Sequence, residues 1–336
     1  MRFRSVTLHL RDPEDFPSYS DYLLKLSERL GSMSARVVSS EPSDDLDVEL
    51  KAVHSGTGPS AFGRAWELLK DGYFTSISLG GNSTDLLRAA DFIFRISEDL
   101  GPEYATMFAL SSSDPPEGPY FPVTKAESFG MSFSLLYPSD LYGVLAEAEE
   151  PQAVLGYALS RIFSGAHSEV RRATSDLGEE VPFLGMDFSL SPWMEESSAR
   201  VVSLLARSPF LGPGTPSAIA ELNSRIDEAS RGLRRLGFNE LMLPMAEDDV
   251  LKEAALNLEM TARDLALLTP YCLAGLDMVV LPLSVSKTDL AKLIGDVVTS
   301  GRVKGRTVGV RVILVEAEPG EEVNLGRFGK VPVMML

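Results

Sequence analysis

The chain has 336 residues, enough to bury a large core in one large domain or two. Its 48 acidic and 31 basic side chains give a formal net charge of −17. That balance argues against a surface for nucleic acid or anionic membranes, because both need a basic patch. The single cysteine, Cys272, excludes an internal disulfide and a cysteine-rich metal site.

The opening residues 1–12 alternate polar and apolar side chains and lack the long apolar core of a signal peptide. The longest apolar region, residues 265–285, is interrupted by Pro270, Asp277 and Pro282. Such a region is too broken to span a membrane. The sequence therefore predicts a protein of the cytoplasm.

The first half of the chain alternates between strand and helix patterns. Glycines and a proline in residues 54–59 predict a loop there. The predicted strands are residues 3–10, 35–40, 46–53, 73–79, 104–110 and 129–137, with 35–40 and 46–53 expected as a strand pair or edge. The predicted helices are residues 16–30, 61–70, 84–100, 140–149 and 153–175.

Residues 111–124 form the one long predicted loop, and they contain four prolines and three consecutive serines. Long loops inside compact domains tend to be functional or disordered. We therefore expect this loop to matter for function if it is ordered.

Three stretches of the second half share one pattern. Each begins with glycine, has Asp or Asn two residues later, and continues as a mostly apolar run to a proline at the eighth place. Such runs predict buried strands, and the proline marks where each strand leaves the sheet. The three stretches are residues 185–192, 237–244 and 275–282, and helical patterns follow at 194–206, 250–268 and 288–298, with a further helix at 215–236 and a strand at 306–315.

The order of strand then helix repeats eight to ten times without a break in composition. This pattern predicts a single α/β domain over residues 1–336, and a closed barrel in preference to two units.

Strand alternation places a set of polar side chains inside that barrel. If Phe188 and Leu190 face the helices, then Asp187 and Ser189 face inward, and Asp277 does so by the same rule. An inward carboxylate must be paired, hydrogen-bonded or bound to a cation. Asp187 and Asp277 are therefore candidate catalytic groups, and Ser189 a candidate substrate ligand. The alternative is that both carboxylates only bind backbone groups or a basic residue and set the strand geometry.

Three carboxylates, Glu247, Asp248 and Asp249, follow the second repeated stretch. Loops at the carboxyl ends of strands carry the sites of α/β folds, so Glu247 and Asp248 are candidate ligands for a divalent cation. The alternative is an acidic first turn of the next helix, which the helix dipole favours.

Two glycine loops open predicted helices, one containing Gly214 and Thr215 and the other containing Asn82. Bare N–H groups there would bind an anionic end of a substrate, although ordinary turn chemistry explains both loops as well. Cys272 lies in an apolar run, where cysteine is usually a small buried hydrophobic residue. The three histidines show no metal-ligand spacing.

Several blocks of the sequence resemble one prokaryotic family, domain-of-unknown-function family 711, also called UPF 0210. The resemblance spans most of the chain and is strongest after residue 180. Its blocks are residues 268–282, the segment 187–192 with 198–201, the pair Gly214 and Thr215, residues 244–248, the ending 329–334, and Phe108 and Ala109 leading to Asp114 and Pro115.

The chain departs from the longer bacterial members in two respects. Its N-terminal half looks shortened, and the loop after Asp114 and Pro115 reads Pro-Tyr-Phe-Pro at 119–122, where those members carry a histidine. No role for that histidine can be transferred here.

The resemblance implies a fold similar to pyruvate formate-lyase and ribonucleotide reductase, a ten-stranded α/β barrel with a loop entering its centre. A cysteine on that loop becomes a thiyl radical in those enzymes, which makes Cys272 a candidate catalytic residue by analogy of fold only. The sequence shows no glycyl-radical motif at Gly326 or Gly329 and no second cysteine, and both facts argue against radical chemistry.

Three hypotheses follow. The chain is an enzyme that binds a small anionic metabolite in the barrel, with or without a divalent cation. Alternatively it is a non-catalytic metabolite sensor, which the resemblance favours because the family's bacterial genes often neighbour a small ACT-domain protein. The third is an oligomeric scaffold with a filled barrel. Expected partners are the small molecule, further copies of the chain and an ACT-domain protein.

Overall fold

The computed structural model of the chain describes residues 1–178, 181–272 and 275–336. The strands are β1 (Arg2–Leu10), β2 (Ala35–Ser39), β3 (Leu50–Thr57), β4 (Phe74–Ser78), β5 (Phe108–Ser111), β6 (Gly130–Leu136), β7 (Phe183–Asp187), β8 (Gly275–Pro282), β9 (Gly309–Val315), β10 (Glu322–Asn324) and β11 (Lys330–Pro332). The helices are α1 (Phe16–Arg29), α2 (Pro59–Lys70), α3 (Ser83–Arg95), α4 (Pro102–Ala105), α5 (Pro138–Ala146), α6 (Pro151–Leu177), α7 (Ser198–Ala206), α8 (Thr215–Ala229), α9 (Asp249–Leu256), α10 (Ala262–Leu268) and α11 (Lys287–Lys304).

Nine strands form one sheet in the order β7-β6-β1-β2-β3-β4-β5-β9-β8. Strands β1 to β5 run parallel to one another. Strand β6 is antiparallel to β1 and β9 is antiparallel to β5. The outer pairs β6–β7 and β8–β9 are again parallel, and β10 and β11 form a separate hairpin.

The two faces of the sheet bury different kinds of side chain. Alternation along β5 places Phe108 and Leu110 in the large core with the helices, while Ala109 lies in a small cluster with Tyr120 and Val123. A second small cluster contains residues of β3 and β4 packed with Phe121, and neither small cluster contains a helical residue. Helices therefore cover one face, and the long loop covers the other.

The long loop, residues 112–129, connects β5 to β6, which are separated in the sheet by β1 to β4. The loop must therefore cross the sheet, and its buried residues Tyr120 and Val123 lie on the face without helices. The long loop predicted at 111–124 is confirmed, with observed bounds of 112–129. No helix in the described ranges is both long and apolar enough to cross a membrane.

Mixed α/β structure is confirmed, whereas the number of strands differs from the predicted ten and closure into a barrel is not shown. The sheet has nine strands, and within the described part of the chain its edge strands β7 and β8 are not paired with each other. Residues 234–242 instead hydrogen-bond to β7 and the segment after it, through Arg234, Leu236 and Met242.

The prediction of three repeated strands is right for one stretch and partly right for another. Residues 275–282 are strand β8, while β7 ends at Asp187 and leaves 188–192 outside the sheet. Residues 237–244 are not a strand, because Gly237 and Asn239 have positive φ angles of 85° and 60° that turn the chain.

Three other predictions are wrong in detail. Residues 54–57 continue β3 and are not a loop. The strand pair expected for the two preceding strands is confirmed, because β2 and β3 pair in parallel as interior strands of the sheet. The strand predicted from residue 104 begins at Phe108, after helix α4. The single helix predicted at 250–268 is two helices, because Leu258 has a positive φ and Thr261 begins α10 with a capping box.

Candidate functional site

A cavity of about 60 Å³ lies on the face of the sheet that has no helices. We call it the arginine cavity. It is lined by residues of the strands, the long loop, the turn after β7 and the segment before α9: Arg4, Arg36, Leu50, Ala109, Tyr120, Phe121, Pro122, Val123, Ser191, Phe238, Met242, Pro244, Glu247, Asp277, Gly309, Val310, Arg311 and Arg327.

The charge of this lining is opposite to that of the whole chain. Four arginines but only two carboxylates line the cavity, an excess of two formal positive charges, whereas the chain carries −17. Strand alternation on β1, β2 and β9 directs Arg4, Arg36 and Arg311 to this face. The fourth, Arg327, lies on the turn after β10 and is more exposed.

Arg311 joins the two carboxylates. Its guanidinium binds Asp277 through two hydrogen bonds, Nε to Oδ1 at 2.7 Å and Nη2 to Oδ2 at 3.0 Å. The same guanidinium lies 3.6 Å from Glu247 Oε1, and Nη1 donates to the carbonyl of Thr106 at 3.2 Å. Forked pairs of this kind are strong and fix direction as well as distance.

Arg4 is also paired with a carboxylate, through one hydrogen bond and not two. It donates to a Glu247 carboxylate oxygen and to the carbonyl of Pro192, and its guanidinium lies 5.2 Å from the centre of the Trp193 ring. Glu247 is therefore held between Arg4 and Arg311, and little of it reaches solvent.

Arg36 has no such partner. Its Nε donates to Ser34 Oγ and its Nη1 to the carbonyl of Pro119, both at 2.9 Å, and its guanidinium lies 5.3 Å from the Phe121 ring centre. No carboxylate of the described residues lies within ion-pair distance of it, although Arg36 is only 9% exposed. A buried cation without a counter-ion is costly, so Arg36 needs a reason to be there.

The neighbouring charges shift these groups in different directions. Burial, and then Arg4 and Arg327, lower the pKa of Arg36 to about 9. Burial raises the pKa of Asp277 by more than Arg311 lowers it. Burial acts in the same sense on Glu247, but Arg4, Arg311 and Arg327 outweigh it and lower the pKa of that carboxyl. The pKa values of the two cavity carboxyl groups are therefore shifted in opposite directions.

Tyr120 lies in the cavity wall at the innermost part of the long loop. It is 8% exposed, and its hydroxyl lies close to Ser191 but makes no hydrogen bond of ordinary geometry to any described residue. Burial, and then Asp187, raise the pKa of this phenol. The long loop therefore carries Tyr120 to the face of the sheet without helices, and Cys272 lies in the large core with the helices.

The predicted catalytic residue Asp187 lies at the end of β7, outside the cavity lining. Its carboxylate accepts from the backbone N–H of Ser189 at 2.9 Å, Phe238 at 2.6 Å and Asn239 at 3.1 Å, and from Ser189 Oγ at 2.5 Å. Ser189 Oγ in turn accepts from Glu240 N. This geometry favours the structural alternative for Asp187 and Ser189, and their catalytic and substrate-binding roles stay predictions.

Of the two predicted metal ligands, Glu247 lies in the cavity and Asp248 lies beside it. Asp248 is fully buried and accepts hydrogen bonds from Ser197 Oγ and from the N–H groups of Ala199, Val250 and Leu251. It thereby caps α9 and ties it to α7. Within the described ranges no three or more His, Cys, Asp and Glu side chains are grouped to hold a metal, so cation binding stays a prediction.

The remaining predicted residues lie outside the cavity lining. Gly214 and Thr215 begin helix α8, where Thr215 Oγ1 donates to the carbonyl of Gly212, and Asn82 caps α3 through Asp85 N. Cys272 is buried, and its thiol donates to the carbonyl of Leu241 at 3.0 Å. Their proposed roles are untested by this geometry.

Sequence reasoning thus brought together Asp277 and Glu247 but missed the arginines and Tyr120. A signal for two of the arginines was present, because Arg4 and Arg36 interrupt otherwise buried strands at positions opposite to the helix-facing apolar residues. A long cationic side chain within a buried strand is rare unless it is paired or functional.

Comparison with known proteins agrees with the family resemblance. The sequence profile of the family described as "Uncharacterised ACR (DUF711)" matches residues 75–326. A UPF0210 protein of Methanopyrus kandleri is 33% identical over 171 residues, which is 49% of this chain and 37% of that protein. One of Sulfurisphaera tokodaii is 26% identical over 275 residues, covering 77% and 60%, and one of Desulforudis audaxviator is 32% identical over 201 residues, covering 56% and 44%.

The chain belongs to the DUF711 family, since the profile covers more than half of it. It spans less than two thirds of the length of these relatives. The predicted membership is confirmed, while the likeness to pyruvate formate-lyase barrels has no support from these comparisons.

Proposed function

We propose that this DUF711 member binds a small organic anion in the arginine cavity. The observation that carries the proposal is Arg36, a buried guanidinium with no carboxylate partner in the described part of the chain. A carboxylate or phosphate group matches the planar fork of a guanidinium and would neutralise the excess charge.

The size of the cavity limits what can enter it. A buried water needs roughly 10–15 Å³ of such space, and the cavity offers about 60 Å³. That is room for a group of a few non-hydrogen atoms. Apolar walls from Phe121, Val123 and Met242 complete a site of the usual composition for small molecules, mostly apolar with a few convergent polar groups.

Catalysis in this cavity is the first form of the proposal. Asp277 has a raised pKa and Glu247 a lowered one, so Asp277 is suited to hold a proton and Glu247 to stay ionised beside the bound anion. A divalent cation at Glu247 and Asp248 belongs to the same hypothesis, and of these two only Glu247 lines the cavity. A role for Cys272, Asp187 or the Gly214 loop belongs to it as well, although these residues lie outside the lining.

The second form is a metabolite sensor that binds the anion without changing it. Pairing of both cavity carboxylates with Arg311 favours it, because groups held in ion pairs are less free to transfer protons. An ACT-domain partner, a homo-oligomer and a place in the cytoplasm remain part of this proposal. The two forms differ in whether a bound metabolite is recovered unchanged.

The test of anion binding is calorimetric titration with sodium acetate and with inorganic phosphate, using the wild type and Arg36→Met. Methionine keeps the length of the side chain and removes its charge. We expect at least a tenfold loss of affinity for whichever anion the wild type binds, because the unpaired cation is the main attraction.

Arg302→Met is the matched control. It removes one positive charge from a guanidinium that donates to the carbonyl of Gly80, away from the cavity, and it should bind anions like the wild type. Equal binding by the wild type and Arg36→Met would contradict the proposal, and so would failure of the wild type to bind either anion.

A further inference from the structure

A second, larger space adjoins the arginine cavity. This groove has a volume of about 540 Å³. It shares Arg4, Arg36, Leu50 and Arg327 with the cavity. Three of the four shared residues are arginines, so the passage between the two spaces is the most cationic part of both.

The walls of the groove beyond the arginines are of a different kind. They include the half-exposed Trp193 and the apolar side chains of Leu24, Met33 and Val48. The exposed carboxylates of Asp47 and Glu49 also line the groove. The indole is held in place, since its ring centre lies 5.2 Å from the Arg4 guanidinium and 6.0 Å from the Phe328 ring. A fixed aromatic ring beside an apolar wall suits a flat apolar group.

From this arrangement we propose that the ligand is an organic anion with a flat apolar body. Its carboxylate or phosphate group binds Arg36 and Arg327 at the passage, and its body lies in the groove against Trp193. The inference rests on the proposed function and specifies the class of ligand. An anion without a body would fill only the passage and the cavity and would leave the groove to water.

The two observations are independent. The unpaired Arg36 indicates that the ligand carries an anionic group. Trp193 and its apolar neighbours indicate that the rest of the ligand is flat and apolar. Because Arg4 lies between Glu247 and the Trp193 ring, one side chain connects the two halves of the site.

Two matched pairs of probes test the inference, acetate with phenylacetate and inorganic phosphate with phenyl phosphate. Calorimetry gives the affinities. Tryptophan fluorescence reports contact, and Trp66→Phe leaves Trp193 as the one remaining indole, because the chain has two tryptophans. Trp66 packs on Arg95 and Phe92 and is not part of either space.

We expect the phenyl-bearing probe to bind at least tenfold more tightly than its partner in the wild type and in Trp66→Phe, and to change the emission of Trp193. The pair with the larger difference identifies whether the anionic group is a carboxylate or a phosphate. In Trp193→Leu the difference in affinity within that pair should fall below threefold.

Equal affinity within both pairs in the wild type would overturn the inference and leave the proposed function intact. Tighter binding of the phenyl probes without any change in Trp193 emission would overturn it as well. If none of the four probes binds, the proposed function itself fails. The wild-type comparison is decisive even if Trp193→Leu does not fold.

Discussion

The turn around Asp187 and the arginine cavity both bury charged groups, but they differ in how completely those groups are matched. Both carboxylate oxygens of Asp187 accept hydrogen bonds from groups of the same chain. In the cavity, Arg36 and Arg327 have no carboxylate partner in the described residues, and the Tyr120 hydroxyl has no hydrogen bond there. Saturated groups stabilise a fold, whereas unsaturated ones point to something that binds.

The largest expected effect on stability concerns the turn around Asp187, where the hydrogen-bonding groups are fully matched. Asp187→Ala would remove an acceptor from three buried N–H groups and the Ser189 hydroxyl, and each unmet donor costs about 1–3 kcal/mol. We expect the free energy of unfolding to fall by at least about 4 kcal/mol, measured by urea denaturation.

Asp21→Ala is the control for that measurement, because Asp21 is an exposed member of a helical ion pair and its loss should change little. The comparison would break if Asp187→Ala kept full stability and lost anion binding, since Asp187 would then act as a ligand group.

The second prediction separates two arginines of the cavity. Arg311→Met leaves Asp277 and Glu247 without a shared partner, and breaking a buried pair costs about 3–5 kcal/mol. We expect the free energy of unfolding to fall by about 3 kcal/mol, the lower end of that range. The loss is limited because Asp277 has a raised pKa and can take up a proton.

Arg36→Met removes a cation that has no counter-ion and should leave the stability of the ligand-free protein unchanged or higher. Urea denaturation of both variants without added anions checks this contrast. A large destabilisation by Arg36→Met would contradict this expectation. It would mean that the hydrogen bonds of Arg36 to Ser34 and Pro119 compensate for the burial of its charge.

The smallest effect per residue concerns two histidines that exclude charge, the buried His9 and the partly buried His54. Burial lowers the pKa of His9, opposed by Glu117, and that of His54, each from 6.5 to about 4. The unfolded chain therefore holds more protons than the folded one between these values, so stability is lost as the pH falls from 6.5 towards 4 and levels off below.

We expect a loss of about 2 kcal/mol for each histidine between pH 6.5 and 4.5, followed by urea denaturation at several pH values. His9→Gln should remove about half of this dependence. A wild type equally stable at both pH values would show that the histidines accept charge without penalty.

Much of the fold could be predicted because alternation and helical spacing are local properties. These patterns predicted the bounds of β1, α1, α6 and β8 to within a few residues. They also predicted that Asp277 faces away from the helices, where it lines the cavity. Residues 237–244 could not be predicted, because their pattern matches that of a strand, and only the positive φ of Asn239 and the contact with Asp187 reveal a turn.

The candidate site was harder to predict from the sequence, for a different reason. Arg4 and Glu247 meet across 243 positions of sequence, and the pairing of Asp277 with Arg311 depends on the register of β8 and β9. Contacts of this kind depend on the tertiary fold, which no local pattern encodes. Arg36 was visible in the sequence, but only its lack of a partner in three dimensions distinguishes it from a structural arginine.

The arrangement of the cavity also has a consequence for how the protein is made. Arg4 and Arg36 come from the first strands, whereas Arg311 and Arg327 come from the last segments of the described chain. During synthesis the early arginines leave the ribosome long before the residues that complete the cavity around them. An anion bound in this cavity would therefore be a marker of finished folding, since it requires both groups of arginines to have met.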